Sequence, residues 1–348
     1  MVFCGDIALA TKDGIQLIIP DSLKGKKWIA NLEGSLIQPD NLSAFLKRPI
    51  VFNNYKAVKD LTKKVNLVAF NLANNHLFDA GDLDETIHNI DSLNIKYVGA
   101  GYTLNDASKS LTLRDEETTF EILSFGWEAI QCKYATPQSG GVNPYLKKHV
   151  IKTIENALTG SPDKKIICLF HWNYELELYP QPFDRELSHY LIDKGVHAII
   201  GCHAHRTQGI EWYNGHPIVY GLGNFLFQQD TFMHGHLAFP SFCDREMVFE
   251  SHPNGDFSIH WFIYDKAKSI VSFEKTEKIK FSENVPFAQM THKEYKRWLK
   301  RNRYHKNKLL PLFYYNDSVI WNKIKILYVK YIRHNMVLAA KKILSFLK

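Results

Sequence analysis

Residues 67–81 read LVAFNLANNHLFDAG, an apolar, strand-like run that leads directly into residues able to bind metal ions. Asn75 offers an amide oxygen and His76 an imidazole just after the point where the strand-like run ends. Binding sites in α/β sheets are built beyond the carboxyl ends of the strands, because side chains from several strands meet there. The stretch therefore predicts an α/β domain with a site at one edge of a sheet.

Four further segments share this property, a strand-like run that ends in metal-binding residue types: Cys4-Gly5-Asp6, Asn31-Leu32-Glu33-Gly34, Phe170-His171-Trp172 and Gly201-Cys202-His203-Ala204-His205. Carboxylate, imidazole and amide oxygen suit manganese, iron, zinc or magnesium, and no thiolate is needed. Two such ions about 3.5–4 Å apart clamp a reacting group between them. A pair of this kind needs one carboxylate that bridges both ions, and Glu33 is our candidate bridge.

Each motif alone also has an ordinary structural explanation. Asp6 can cap a turn, Glu33 can lie on a solvated surface, and His171 can be a structural histidine. The run Asn74-Asn75-His76 can form a turn, since asparagine tolerates left-handed backbone. His203-Ala204-His205 is the most informative, because alternate residues of an extended segment point the same way. All five motifs, in order and at strand ends, favour a shared metal site.

Strand-like runs and helical patterns alternate over the first two thirds of the chain, which indicates an α/β domain. The strand-like runs are Val2–Gly5, Trp28–Leu32, Leu67–Leu72, Ile95–Val98, Phe120–Phe125, Ile166–Phe170 and Ala198–Gly201. The helical patterns are Tyr55–Lys64, Asp82–Ser92, Leu146–Leu158 and Asp184–Lys194. Past residue 205 the pattern becomes β-rich, with a hairpin turn at Asn214-Gly215. These later strands predict a second sheet packed on the first.

Composition excludes several protein classes. The chain has 348 residues, 45% of them hydrophobic, which is ample for a large core. It lacks an uncharged apolar run of about 18 residues, so the sequence predicts no transmembrane helix. The first strand-like run leads directly to the candidate ligand Asp6, which leaves no room for a secretory signal, so we expect a cytoplasmic protein. Its five cysteines form no CxxC pair, which argues against a disulfide framework or a zinc ribbon.

Charge divides the chain into two parts. The net charge is +7, but the segment from His292 onward carries +13, so the preceding part carries −6. We predict a domain over residues 1–284 and a basic helical extension over residues 285–348. Within the extension, Ile320–Leu347 is typical of one long helix. Its apolar side holds Ile320, Ile324, Leu327, Tyr331 and Leu338; its basic stripe holds Lys323, Lys330, Arg333, Lys341 and Lys348; Lys325 and Lys342 interrupt the pattern.

Two interpretations of this helix stay open. A basic amphipathic helix can lie on an anionic membrane surface. It can equally be a terminal helix packed on the domain with its basic side in water.

The motifs, taken together, resemble the bacterial capsule-synthesis (CapA-type) proteins. These poly-γ-glutamate biosynthesis proteins are a branch of the calcineurin-like metallophosphoesterase superfamily. The resemblance runs from about residue 2 to about residue 228 and includes several ordered blocks. These are Gly5-Asp6, Asn31–Gly34, Asn74–Gly81, Gly99–Gly101, His171-Trp172 with Glu175, Gly201–His205 and Pro217–Phe225.

The resemblance implies a four-layer α-β-β-α sandwich of two mixed sheets with a dinuclear metal site at one edge. It assigns Asp6, Glu33 and His205 to one metal ion. It assigns Glu33, Asn75, His171 and His203 to the other. It also makes His76 the catalytic histidine, which protonates a leaving group or steadies a phosphoryl oxygen.

Three further roles are less specific. Asp79 orients His76, or lies on the surface. Glu175 supports the site or contacts substrate, or lies on the surface. Arg206 binds an anionic substrate, or is solvated.

The chain also departs from the wider superfamily. Its first motif has Ala8 where phosphoesterases have the histidine of Asp-x-His, and the bridge is Glu33 rather than an aspartate. Both differences look normal for the capsule branch, but they reduce the number of ligands at the first metal ion. Asn173 and Gly221 replace a glycine and a serine common in the branch, which bears on substrate choice more than on metal binding.

Three functions fit the sequence. The first is a metal-dependent hydrolase that acts on a phosphoester or an anionic polymer in capsule or other surface-polymer biosynthesis. The second is an assembly factor that keeps the metal site for folding and contacts a membrane polymer synthase through the basic tail. The third, a nuclease, ranks last, since no aromatic-basic reading motif accompanies the basic tail. Nucleic acid is therefore not an expected partner.

Overall fold

The computed structural model describes residues 1–160, 163–279 and 285–346, with side chains described outside 333–334 and 336–346. Its strands are β1 (Val2–Ala8), β2 (Gln16–Ile18), β3 (Lys27–Leu32), β4 (Ser35–Ile37), β5 (Phe52–Asn54), β6 (Asn66–Asn71), β7 (Lys96–Val98), β8 (Ala100–Gly101), β9 (Leu111–Asp115), β10 (Thr118–Gly126), β11 (Gly141–Val142), β12 (Lys165–His171), β13 (Ala198–Cys202), β14 (Ile210–Tyr213), β15 (His216–Val219), β16 (Asn224–Phe227), β17 (Arg245–Ser251), β18 (Phe257–Asp265) and β19 (Ile270–Lys278). Its α-helices are α1 (Asp21–Lys24), α2 (Leu42–Lys47), α3 (Tyr55–Leu61), α4 (Leu83–Ser92), α5 (Leu104–Ala107), α6 (Lys147–Gly160), α7 (Pro182–Asp193), α8 (His292–Asn302) and α9 (Val319–Phe346).

Two large mixed sheets organise these elements. The first has the order β2-β19-β18-β17-β1-β3-β6-β7, and β16 also pairs with β1. The second has the order β14-β15-β13-β12-β10-β9. Strands β1, β3, β6 and β7 run parallel, as do β10, β12, β13 and β15, while β17–β19, β9 and β14 add antiparallel pairs. The predicted mixed α/β fold is confirmed.

The two sheets pack face to face. Phe3 and Ile29 of the first sheet share one buried apolar cluster with Ile122 and Ile167 of the second. The alternate residues of the same strands point outward and join a second cluster with the apolar sides of α3, α4, α6 and α7. Because strand side chains alternate between faces, each sheet is apolar on both sides and lies between the other sheet and helices. The arrangement is consistent with the predicted four-layer sandwich.

The strands after residue 205 do not form a sheet of their own, contrary to the prediction. The hairpin β14–β15 extends the second sheet, and its turn at Asn214-Gly215 has positive φ at both residues. Strands β17–β19 instead return to the first sheet, where β17 pairs with β1. Together β17 and β16 cover the edge of β1 that β3 leaves open, and an uncovered central strand would expose its backbone groups.

Residues 285–314 lie against α7 and the second sheet. Tyr295, Leu299 and Phe313 are buried. The buried guanidinium of Arg185 in α7 binds Glu211 of β14 at 2.7 Å and donates to the carbonyl oxygens of Phe287, Ala288 and Met290. The division into residues 1–284 and 285–348 stays a prediction.

Helix α9 contacts the domain through a side that the sequence analysis did not single out. Ile326 and Val329 are buried, and Lys325 is also buried, where it binds Asp317 and the carbonyl oxygen of Leu312. The predicted apolar side is exposed at Ile320, Ile324, Leu327 and Tyr331. The side chains of Arg333, Leu338, Lys341 and Lys342, and all of Lys348, lie outside the described residues. Among the described helices, none combines the length and apolar character needed to cross a bilayer.

Candidate metal centre

The six predicted ligands lie at the carboxyl ends of five strands. Asp6 lies in β1, Glu33 directly follows β3, and Asn75 follows β6, all in the first sheet. His171 is the last residue of β12, and His203 and His205 follow β13, in the second sheet. Since parallel strands end at a common edge, and the two sheets face each other, the side chains from both sheets converge.

Asp6 and Glu33 are held together by a residue that was not predicted as part of the site. The Asn31 Nδ2 donates at 2.7 Å to Asp6 Oδ1 and at 2.7 Å to Glu33 Oε2. All three side chains are buried. Burial, and then the negative charge of Asp6, raise the pKa of Glu33 to about 8. Two carboxylates in one buried site repel each other, so the pair favours a cationic partner.

The second carboxylate oxygen of Glu33 faces a group of imidazole and amide donors. Its Oε1 lies 3.6 Å from His171 Nε2 and accepts no hydrogen bond from the described residues. Asn75 Oδ1 lies 2.8 Å from the same His171 nitrogen. The rings of His171 and His203 have centroids 4.8 Å apart. Burial lowers the pKa of His171 to about 3, so its imidazole is neutral and able to act as a ligand.

Asp6 contacts His205 directly. Asp6 Oδ2 lies 3.2 Å from His205 Nδ1, which also lies 2.9 Å from Asn224 Oδ1. The His205 ring stacks on Phe239 with centroids 4.5 Å apart. Burial disfavours the charged ring, but the bond to Asp6 outweighs it and raises the pKa of His205 to about 9. Burial likewise opposes ionisation of Asp6, yet the same bond lowers the pKa of Asp6 below its usual value.

His76 is the more accessible imidazole of the cluster. Its Nδ1 lies 2.6 Å from Asp79 Oδ2, which also accepts from the backbone N–H of Val51 at 3.1 Å. Its Nε2 lies 3.8 Å from Glu33 Oε1, and its side chain is 24% exposed. Burial opposes charge on the ring, but Asp79 and Glu33 raise the pKa of His76 above its usual value. Asp79 thus fixes the ring through Nδ1, and the protonated ring can donate a hydrogen bond from Nε2.

The backbone around the two histidines after β13 is not extended. His203 has a φ of +89° and His205 a φ of +55°. The rings still meet, with centroids 5.7 Å apart, but through left-handed backbone rather than through the alternation of an extended strand. Non-glycine residues rarely take such angles, which cost roughly 1–3 kcal/mol and concentrate at functional sites.

Three buried asparagines support the site and were not predicted as site residues. Asn31 joins the two carboxylates, and the Oδ1 of Asn224 accepts from His205 Nδ1. Asn74 donates to the carbonyl oxygen of Leu32 at 2.7 Å and accepts from the backbone N–H of Gly34 at 3.2 Å. Asn74 therefore fixes the backbone on both sides of Glu33. All three lie within motifs that the sequence analysis names. The signal that could have identified them is the number of asparagine side chains in those motifs.

The two predicted substrate contacts lie at the rim. Glu175 is exposed, and its charge is among the causes that raise the pKa of His205. The Arg206 guanidinium lies 4.3 Å from the ring centroid of Phe242, and its Nη1 donates to the carbonyl oxygen of Leu176 at 3.4 Å. Burial lowers the pKa of Arg206. Neither residue joins the inner cluster.

The donor set suits a divalent cation. In the described part of the chain, Glu33, His171 and His203 form one group whose ligand atoms lie within 4.8 Å of one another. Carboxylate and imidazole together favour borderline ions such as zinc, manganese or iron. The buried Glu33 oxygen that accepts no hydrogen bond lies on the side of this group, and a cation would satisfy it. The residues therefore fit a metal ion at this position.

Comparisons with known proteins agree with the motifs. The chain is 30% identical to the PGA biosynthesis protein CapA of Bacillus subtilis (strain 168) over 222 residues, which cover 62% of this chain and 57% of that protein. It is 26% identical to the capsule biosynthesis protein CapA of Bacillus anthracis over 210 residues, covering 55% of this chain and 51% of that protein. The chain thus spans about half the length of the curated relatives it matches.

A solved structure, that of the 5'-nucleotidase precursor from Thermus thermophilus, superposes with a TM-score of 0.34 at 14% identity, over 72% of this chain and 44% of that chain. A model of the bacterial capsule synthesis protein PGA_cap matches residues 24–229, which is more than half of the 348 residues. The match includes five of the six predicted ligands and begins after Asp6. The chain therefore belongs to the bacterial capsule synthesis protein family.

Proposed function

We propose that this chain is a metal-dependent hydrolase that cleaves a phosphoester or a related bond in the synthesis of a capsule or another surface polymer. The observation that carries the proposal is the convergence of buried carboxylates and imidazoles from both sheets at one edge. Glu33 lies within 4 Å of both His76 and His171. A structural role alone does not require so many titratable groups in one buried cluster.

Two ions are proposed, held by different sets of residues. Glu33, Asn75, His171 and His203 would hold one, and their present spacing suits it. Asp6, Glu33 and His205 would hold the other. When bound, divalent ions of this kind lower the pKa of a coordinated water and stabilise negative charge on substrate oxygens. Because Asp6 and His205 bind each other directly, the second site should have the lower affinity.

His76 is the proposed proton donor. Asp79 accepts from the Nδ1–H of His76, so that Nε2 points to the side of Glu33 and carries a proton when the ring is in its charged imidazolium form. In that charged form the ring donates from Nε2 to an oxygen of the substrate or protonates the leaving group. The raised pKa of His76 keeps this proton available near neutral pH. Arg206 and Glu175 at the rim are proposed to contact the substrate.

A single comparison of two histidine variants tests the proposal. Protein loaded with manganese is assayed on p-nitrophenyl phosphate and bis-p-nitrophenyl phosphate. The variant His76→Ala should lower kcat roughly 10²- to 10⁴-fold, the usual contribution of a general acid, with unchanged metal content. His88→Ala, an exposed histidine of α4, is the matched control and should retain full activity. Equal activity of both variants would remove His76 from the mechanism.

The second candidate is an assembly factor of a membrane polymer synthase. The relatives are named for polymer biosynthesis, and the basic C-terminal segment with its exposed helix offers a contact surface. In this case metal-loaded protein would bind both ions and yet hydrolyse neither ester. A cytoplasmic location, at or near the inner face of the membrane, is part of both proposals. Degradation of single- or double-stranded nucleic acid would favour the third candidate, a nuclease, over both.

A further inference from the structure

The first turns of α9 carry an apolar stripe that no described residue covers. Ile320, Ile324, Leu327 and Tyr331 are 47–73% exposed, and their spacing places them on one side of the helix. The side that contacts the domain is a different one, formed by Ile326 and Val329. A terminal helix packed only for stability would expose its polar residues. The stripe therefore indicates a contact beyond the domain itself.

A basic cleft of about 500 Å³ opens beside this stripe. It lies between residues 300–314 and the start of α9, and it contains no acidic lining residue. Its lining residues include Lys300, Arg303, Lys308, Tyr314, Trp321 and Lys325. Lys325 is paired with Asp317, but Lys300 and Lys308 are exposed and form no ion pair with the described residues. The cleft thus carries positive charge that the domain does not neutralise.

Arg303 gives the cleft a buried donor. Its side chain is almost fully buried, its Nε donates to Glu177 at 3.3 Å, and its Nη1 donates to the carbonyl oxygen of Leu310 at 2.7 Å. The remaining nitrogen, Nη2, is buried and finds no hydrogen-bond acceptor among the described residues. A buried guanidinium N–H is rarely left without an acceptor, and arginine matches the oxygens of a phosphate. An anionic oxygen in the cleft would supply the missing acceptor.

Trp321 joins the cleft to the stripe. It lines the cleft and is also 51% exposed at the start of α9. Indole rings favour the boundary between water and acyl chains, since one part is apolar and the N–H is polar. Leu309, the neighbour of Lys308, is 80% exposed on the same segment. A cationic cleft for a headgroup thus adjoins apolar side chains that could enter the acyl region.

We propose that this surface, the cleft together with the exposed stripe of α9, binds an anionic phospholipid membrane, with a headgroup phosphate in the cleft. Charge complementarity supports a lipid, because the segment from His292 onward carries +13. A free phosphate would engage the cleft but would leave the apolar stripe unexplained. The proposal goes beyond the hydrolase and does not depend on it.

The test uses the full chain and sedimentation with vesicles. One set mixes phosphatidylglycerol with phosphatidylcholine, and the other contains phosphatidylcholine alone. The protein should bind the first set and not the second. The double variant Lys300→Gln/Lys308→Gln should weaken binding about fivefold for each lysine removed. The double variant Ile324→Ser/Leu327→Ser should weaken it about tenfold or more, since two inserted side chains are lost.

Controls separate the alternatives. Lys56→Gln/Lys152→Gln removes two exposed lysines from α3 and α6, and should leave vesicle binding unchanged. Equal loss in this control would overturn the proposal, because it would show an unspecific effect of charge. Binding that inorganic phosphate abolishes, and that the serine variant leaves intact, would overturn the lipid assignment in favour of a soluble anion. Dimerisation in solution that the serine variant abolishes, without vesicle binding, would assign the stripe to a second copy of this chain.

Discussion

Replacing Asn31 with leucine is expected to destabilise the metal-free protein by about 3–6 kcal/mol. The amide of Asn31 donates to Asp6 and to Glu33, both at 2.7 Å and both buried. The bond to the ionised Asp6 contributes about 1.5–3 kcal/mol. The bond to Glu33, whose pKa of about 8 keeps it largely protonated at pH 7, and the bond from Asn71 Nδ2 at 2.9 Å contribute about 0.5–1.5 kcal/mol each, and leucine removes all three while keeping a similar volume. Both carboxylates then lose a donor, so a bound cation should restore much of the lost stability.

The assay is urea unfolding of the same variant with a chelator and with manganese. The difference in unfolding free energy between the parent and Asn31→Leu should be large with the chelator and clearly smaller with manganese. Asn53→Leu is the matched control, since Asn53 is equally buried but bonds only to the backbone of Leu9 and Glu33. The Asn53→Leu variant should lose about 1–3 kcal/mol of unfolding free energy, from two neutral hydrogen bonds, and manganese should not change this loss.

One result would refute the reasoning. If the loss of unfolding free energy in Asn31→Leu were as large with manganese as with the chelator, the result would show that the carboxylates do not bind a cation. Asn31 would then act only as a buried polar residue, like Asn53. A deficit below about 1 kcal/mol with the chelator would show that Asn31 does not donate to an ionised Asp6 in the metal-free protein.

Three further outcomes are expected. Arg185→Met should destabilise the protein by about 3–5 kcal/mol in urea unfolding, because it leaves the buried Glu211 without its arginine, and adding Glu211→Gln should recover part of this loss. Burial raises the pKa of Asp184 to about 7, so the folded chain keeps a proton that the unfolded chain releases near its usual value of 3.8. The free energy of unfolding should therefore fall as the pH rises from about 4 to about 7, and Asp184→Asn should flatten this fall. His171→Ala should remove one equivalent of bound manganese in metal analysis, and an unchanged metal content would contradict its role as a ligand.

The sequence predicted the elements of the fold well but not the pairing of its later strands. The run Leu67–Leu72 corresponds to β6, Asn66–Asn71, and the pattern Asp82–Ser92 to α4, Leu83–Ser92. Apolar periodicity is local, and it is strong where an element is buried on one or both faces. The partner of a strand depends on distant residues, so the β-rich pattern past residue 205 indicated strands but not that β17 is the neighbour of β1.

The site was predictable where its side chains are chemically distinctive. Carboxylates and imidazoles at strand ends are uncommon enough for Glu33 and His171 to stand out. The supporting role of Asn31 was not visible, because an asparagine in a motif looks the same whether it forms a turn or joins two carboxylates. The exposure of Ile320 and Leu327 was also hidden, since periodicity shows that a helix has an apolar stripe but not what covers it.

The position of β1 also sets a limit on how early the chain can fold during synthesis. Val2 and Phe3 pair with β17, so the first residues of the strand that carries Asp6 have no partner on this edge until Glu250 has left the ribosome, whereas the Asp6 end pairs earlier with β16. The intervening residues include the whole second sheet, which can form before the first is closed. An open strand edge is prone to pair with another chain, and contacts this distant in sequence form slowly. The nascent chain should therefore be most exposed to aggregation late in translation, after its central strands exist and before β17 emerges.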